Sequence, residues 1–149
     1  MTAIQDNGVK PFNMTVTNAE TYYEGELVMV SSNALTIITA DESIAIGVVD
    51  QDTIDSEQAA RAVVTGDKIG IWPLGCGAIV QVRSENAAVY PQGALVVCAD
   101  AVDGACNVTA SSTGDNLIGT YMGDGETVST ANALIPVMLN VLPDIADHS

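Results

Sequence analysis

The chain has little positive charge. Nineteen Asp and Glu face 4 Lys and Arg, for a formal net charge of −15. The bases Lys10, Arg61, Lys68 and Arg83 are scattered along the sequence. Such a chain repels phosphate backbones, so no nucleic-acid partner is expected. It also lacks the basic patch that holds a protein to an anionic membrane. No apolar run approaches the ~18 residues of a membrane-spanning helix, so no membrane partner is expected either. The acidity itself has two open readings, solubility and life at high salt.

Histidine is nearly absent. His148 is the only one and stands next to the terminus, a poor place for a catalytic base. That removes Ser-His-Asp and Cys-His catalysis and predicts a protein that is not an enzyme. Aromatic residues make up 4% of the chain, so the core must be built from Val, Ile, Leu, Ala and Met. Trp72 and the tyrosines 22, 23, 90 and 121 could line a sugar site, but Trp72 before Pro73 reads better as a plug in a core or subunit seam.

Cysteine is scarce and odd in number, which argues against a disulfide framework. Cys76 sits between glycines without a basic neighbour and reads as a small buried hydrophobe. Cys98 and Cys106 fall on opposite arms of a hairpin around Asp103-Gly104, so both a cross-strand disulfide and a pair of thiols are open to them. The three lack zinc spacing. Asp50, Asp52, Asp55 and Glu57 are the best metal candidate. However, a calcium loop wants Gly at its sixth position and Glu at its twelfth, where Asp55 and Arg61 stand. A solvated acidic loop is the better reading, and no cofactor is expected. The start MTAIQDNGVK has an acid where a secretion signal carries positive charge, which predicts a product made and kept in the cytosol.

What the chain does have is β signal. Residues 1–11 show no periodicity and read as an extended arm. Phe12, Met14 and Val16 then alternate with Asn13, Thr15 and Thr17, a strand with one wet face. Leu27-Val28-Met29-Val30 is apolar throughout, which predicts burial on both faces. Further runs follow at 35–39, 44–49, 62–64, 69–72, 78–82, 94–98, 106–109, 117–122 and 133–142, with turn residues between them. Pro136 marks an edge strand or a bulge. At most one short helix is allowed, near residues 55–62, capped by Asp55 or Ser56. The expected fold is a compact all-β barrel or sandwich of about ten short strands, with a single domain over 12–149 behind the arm.

Two stretches echo each other. Gly25-Glu26-Leu27-Val28-Met29-Val30 is followed by Ile46-Gly47-Val48, and Gly93-Ala94-Leu95-Val96-Val97-Cys98 by Ile118-Gly119-Thr120. The pair defines a pseudo-repeat over 25–49 and 93–120, built as a buried strand, a loop and a return strand whose Gly admits a close backbone.

The order of GELVMV (25–30), AIGVV (45–49), TGDKIGIWPLGCGAIVQV (65–82), QGALVV (92–97), NLIGTYMG (116–123) and ALIPVMLNVL (133–142) resembles the head-decoration, or cement, proteins of tailed phages. It is similar both to the lambda-type proteins and to a broader group of phage capsid-associated β proteins. The resemblance implies a viral structural protein on the capsid exterior, acting as a homotrimer on the major capsid protein and stabilising the shell. It further implies that the N-terminal arm makes the capsid contact, which falls here on Ile4, Val9, Pro11, Phe12, Met14 and Val16. The rival expectation is a viral fibre, spike or carbohydrate-binding module on a β-sandwich.

Overall fold

The computed structural model describes residues 3–5, 8, 10–16, 20–32, 34–39, 45–50, 61–63, 65–85, 87–99, 102–108, 116–130 and 133–141. The described residues form fifteen strands and no helix. In chain order these are β1 (Ala3–Gln5), β2 (Phe12–Thr15), β3 (Glu20–Tyr22), β4 (Leu27–Ser31), β5 (Ala34–Ile37), β6 (Gly47–Val49), β7 (Arg61–Val63) and β8 (Lys68–Pro73). They continue with β9 (Ile79–Arg83), β10 (Val89–Tyr90), β11 (Leu95–Cys98), β12 (Cys106–Val108), β13 (Leu117–Tyr121), β14 (Glu126–Thr127) and β15 (Leu134–Met138). The all-β expectation holds. Where a helix was allowed over 55–62, Arg61 and Ala62 are instead ladder residues of β7, opposite Tyr22 and Thr21, and residues 51–60 lie outside the described ones. The β-branched Val63 favours the ladder over a helix end once a partner strand is available.

The strands make a five-stranded sheet in the order β2-β8-β6-β4-β5 and a six-stranded sheet in the order β1-β9-β15-β13-β11-β12. Two-stranded sheets β3-β7 and β10-β14 flank them. All of these ladders are antiparallel. Neither large sheet closes on itself, and the packing is that of a sandwich. A single parallel bridge from Ser84 to Cys106 brings the far strand β12 back towards the end of β9.

The two large sheets are copies of one scheme. β2 pairs β8 as β9 pairs β15. β3 pairs β7 as β10 pairs β14. β4 pairs both β5 and β6, as β11 pairs both β12 and β13. β6 pairs β8 as β13 pairs β15. The match holds at the level of register. Leu27 faces Val48 and Val28 faces Gly47; Leu95 faces Thr120 and Val96 faces Gly119. The echo at 25–49 and 93–120 is therefore part of a wider repeat, which runs from β2 to β8 as a first unit and from β9 to β15 as a second. β1 belongs to neither unit.

Single hydrogen bonds repeat as well. Val16 N–H bonds Asp67 O at 2.8 Å, and its counterpart Ser84 N–H bonds Ala133 O at 2.8 Å. Asp50 N–H bonds Gly70 O at 2.9 Å, and Met122 N–H bonds Pro136 O at 2.9 Å. The buried hydroxyl of Tyr22 donates to Leu35 O at 2.9 Å, and that of Tyr90 to Cys106 O at 3.2 Å. Gly47 and Gly119 show why glycine is needed at that register. A Cβ on Gly47 would overlap Trp72 O, and one on Gly119 would overlap the equivalent Met138 O.

Burial explains the first half of the apolar run at 27–30; Met29 is half-buried, and Val30, expected inside, is 48% exposed. Val28 points into the core of the first unit, with Val16, Tyr22, Leu35, Val49, Ile69 and Ile71. Leu27 points the other way, into a larger cluster with Val48 and Trp72 of its own sheet and Val80, Val96, Tyr121, Ile135 and Val137 of the second unit. Each such side chain, taken wholly out of water, contributes roughly 1.5–3 kcal/mol. β4 thus serves two cores at once, and a one-residue slip would exchange them.

Candidate assembly surfaces

The N-terminal segment links the edges of both sheets. β1 pairs with β9 at the edge of the six-stranded sheet, with Ala3 opposite Val80 and Gln5 opposite Ile79. β2 pairs with β8 and is the outermost strand of the five-stranded sheet. The six residues expected to contact a capsid therefore part company. Ile4 lies within β1, and Val9 lies outside the described residues. Pro11 is half-buried. Val16 is fully buried in the first unit's core, and Met14 packs against the same cluster, so both serve the fold. Phe12, on the edge strand, is 41% exposed.

The acidic candidates do not assemble a metal centre among the described residues. Asp52, Asp55 and Glu57 lie outside those residues. Asp50 is buried and accepts a hydrogen bond from Trp72 Nε1 at 2.8 Å. That contact gives the indole its partner within the core. No group of three or more His, Cys, Asp or Glu converges among the described residues. Trp72, Tyr22, Tyr90 and Tyr121 are core side chains and present no open ring face to a sugar.

Cys98 and Cys106 do face each other across β11 and β12, both buried, and both are thiols. Ala99 N–H bonds Ala105 O at 2.9 Å, so the cysteines occupy the adjoining non-hydrogen-bonded pair, where side chains stand closest. They take the place that Val30 and Leu35 hold in the first unit. Cys106 joins a small polar network. Ser84 Oγ lies 2.8 Å from Tyr90 Oη, and Tyr90 Oη lies 3.6 Å from Cys106 Sγ. Burial pushes the Cys106 thiol up to about 12, and burial likewise raises Tyr90. A thiol held so firmly protonated is a poor nucleophile.

No motif or period announces the charge cluster where the units meet. The turn between β3 and β4 carries Tyr23, Glu24, Gly25 and Glu26, and it lies on the edge of β9. Gly25 O accepts from Arg83 N–H at 2.8 Å. Gly25 has φ +76, and a Cβ there would stand 2.7 Å from Leu134 Cδ2 and 2.9 Å from Gln81 O. Arg83 is buried, with its guanidinium 4.4 Å from the Tyr23 ring centroid. Burial lowers the Arg83 pKa, while Glu26, Tyr23 and Glu24 hold the charge in place. Glu24 and Glu26 are buried too. The hairpin tip after β11 completes the joint, since Leu27 N–H bonds Gly104 O and Gly104 N–H bonds Ile38 O, each at 2.8 Å. The cluster is a clasp between units, with Arg83 as its cation.

A readable signal for the repeat did exist. Asn18-Ala19, Tyr22, Gly25 and Leu27-Val28 recur at identical spacing as Asn86-Ala87, Tyr90, Gly93 and Leu95-Val96. Tyr22 and Tyr90, conspicuous in so aromatic-poor a chain, mark the start of each unit.

These surfaces define a class before they define a role. The chain is a duplicated all-β protein whose buried polar groups serve its fold and whose open features are a sheet edge and exposed apolar side chains. No protein-family model matches the chain, and no curated protein matches it either.

Proposed function

We propose that this chain is a capsid decoration protein of a tailed virus, which binds the exterior of an icosahedral shell as a homotrimer and stabilises it. The observation that carries this reading is the placement of the N-terminal segment. It runs along the edges of both sheets and ends in an outermost strand, β2, on which Phe12 is exposed. On the equivalent strand, β9, positions Ile79 and Val80 are covered by the short extended segment β1. The matching positions on β2 are Pro11 and Phe12. An extended segment of the major capsid protein would pack there on Phe12 as its apolar anchor; Pro11 has no N–H, so it can offer only its carbonyl to such a segment. Many identical sites on one shell make modest affinity per site sufficient. The two-sheet body and the order of glycine and aliphatic segments fit the same role.

The test is to mix the purified protein with expanded, undecorated capsids and image them by electron microscopy. Added density at the three-fold positions supports the reading. A Phe12→Asp chain that folds normally should leave those positions largely empty. Bare capsids at saturating wild-type protein would remove the decoration role and turn attention to glycan binding.

A further inference from the structure

We propose that the exposed row Leu95, Thr120 and Met138, with the turn Pro91–Gly93, is the surface by which one copy of this chain binds the β2 edge of a second copy. The contact repeats, between chains, the joint that already holds the two units together within one. It specifies the self-contact of the decoration reading and rests on that reading only for its biological purpose.

The joint within the chain shows what such a surface does. Leu27, Val48 and Trp72 form one cross-strand row over β4, β6 and β8. All three are buried in the cluster shared with the second unit. The equivalent row over β11, β13 and β15 is Leu95, Thr120 and Met138. Nothing in the chain's described residues buries it. Leu95 is 43% exposed, and Thr120 and Met138 are half-exposed. Met122, 43% exposed, and the half-exposed Pro136 extend the patch. No charged side chain interrupts these positions, in a chain of net charge −15.

The turn beside the row repeats the contrast. Gly25 and Gly93 have φ of +76 and +77, so the two turns have the same shape at that residue. A Cβ on Gly25 meets Leu134, Gln81 and Arg83, whereas one on Gly93 meets nothing within 4 Å. Pro91, Gln92 and Gly93 are all exposed.

The receiving surface is present too. Gly25 docks on β9 at Gln81 and Arg83, and the matching residues of β2 are Asn13 and Thr15, both exposed. Since Val16 directs its N–H to Asp67, Thr15 directs its own away from β8, as Arg83 directs its N–H to Gly25. A second copy's Gly93 carbonyl would accept there.

Charge decides in favour of a second copy over another partner. In the inner joint, the charges of Glu26 and Glu24 on the turn act on Arg83. In the outer surface all three are neutral: Gln92 and Ala94 replace the acids, and Thr15 replaces the arginine. Both sides of the inner joint are charged and matched, whereas the outer turn carries no charge and the receiving strand pair sets the exposed Lys68, opposite Thr15, where the inner joint has Leu134. Two copies of an acidic chain meet at least cost where unmatched carboxylates are absent, because like charges across an interface cost affinity. The contact is head-to-tail, and a head-to-tail contact either closes into a ring or runs on as a filament. Three copies in a ring would place six equivalent units around one axis, and this closure gives the trimer.

The test uses the full chain without capsids, so its outcome is separate from that of the decoration role. Light scattering on a sizing column at tens of micromolar should report a closed oligomer. A Leu95→Glu/Thr120→Glu chain should run as a monomer with unchanged circular dichroism, its self-affinity weakened by roughly a hundredfold or more. In a Cys76→Ser background, Thr15→Cys chains mixed with Gln92→Cys chains should join through a short bismaleimide, and neither alone should do so. A wild-type monomer overturns the proposal. So does an oligomer that survives the double substitution or gives no mixed cross-link. If capsids bind a monomer, this contact fails and the decoration role stands. If a closed oligomer forms but leaves capsids bare, the contact stands and the decoration role fails.

Discussion

The first unit buries its outer row of Leu27, Val48 and Trp72 beneath the second, while the second leaves Leu95, Thr120 and Met138 open. The backbone scheme is the same on both sides, down to the two tyrosine hydroxyls that close equivalent loops. The difference lies in side chains and surroundings. Where the first unit meets a neighbour, its turn carries acids and a tyrosine that match an arginine of the second unit. Where the second meets none within the chain, it carries Pro91, Gln92 and Ala94. A duplicated fold thus supplies its own control: the positions that keep their identity serve folding, and the positions that diverge show what each copy touches.

Three paired substitutions can break that comparison. The largest effect is expected at the centre of the row. Val48→Glu buries a carboxylate with no partner and should cost about 4 kcal/mol or more, enough to unfold the chain. Thr120→Glu, at the equivalent place, should stay within about 1 kcal/mol in urea unfolding of the monomer. Equal losses would show that the second row is covered after all. The clasp comes next. Arg83→Met leaves Glu24 and Glu26 buried without their cation and should cost about 3–5 kcal/mol. Thr15→Met on the equivalent strand should change stability by less than about 0.5 kcal/mol. The turn glycines give a smaller contrast. Alanine at Gly25 or Gly93 must adopt a positive φ, at about 1 kcal/mol each. Gly25→Ala should cost clearly more, because its Cβ also meets Leu134 and two backbone atoms of β9. Thermal melts that rank the two alike would mean the joint gives way easily.

The sequence was legible where burial imposes a period. The alternation at 12–16 foretold a one-sided strand, and the run at 27–30 a two-sided one, which is found at Leu27 and Val28 but not at the exposed Val30. The echo around Gly47 and Gly119 was visible because no other residue fits there. The short strands β1, β3, β10 and β14 were not legible. Two or three residues carry no measurable period, and their pairing depends on partners far away in sequence. The clasp escaped for a related reason. Arg83 stands far from Glu24 and Glu26 in sequence, and only the docking of one unit on the other brings them together. Phe12, Met14 and Val16 read as one stripe, yet the edge position of β2 leaves Phe12 exposed while Val16 enters the core.

The last contrast is chemical and shows only in alkali, where it grows with pH. The second unit's core holds Ser84, Tyr90 and Cys106 where the first holds Val16, Tyr22 and Leu35. Burial raises the Cys106 thiol from 9.0 in an unfolded chain to about 12, and raises Tyr90 as well. Below pH 9 both folded and unfolded chains keep the thiol proton, so its contribution to stability is fully present. Above that the unfolded chain releases the proton while the folded chain retains it, and stability falls as pH rises towards 12. A single group of this kind contributes at most about 1.4 kcal/mol per pH unit. Urea unfolding across the alkaline range should therefore show a declining midpoint, and Cys106→Val, which restores an aliphatic side chain as in the first unit, should flatten part of the decline. Tyr90→Phe should flatten a further part at the higher end, since Tyr90 also ionises less readily in the folded state. If the wild type and Cys106→Val lose stability at the same rate from pH 9 upwards, the thiol has no share in the effect.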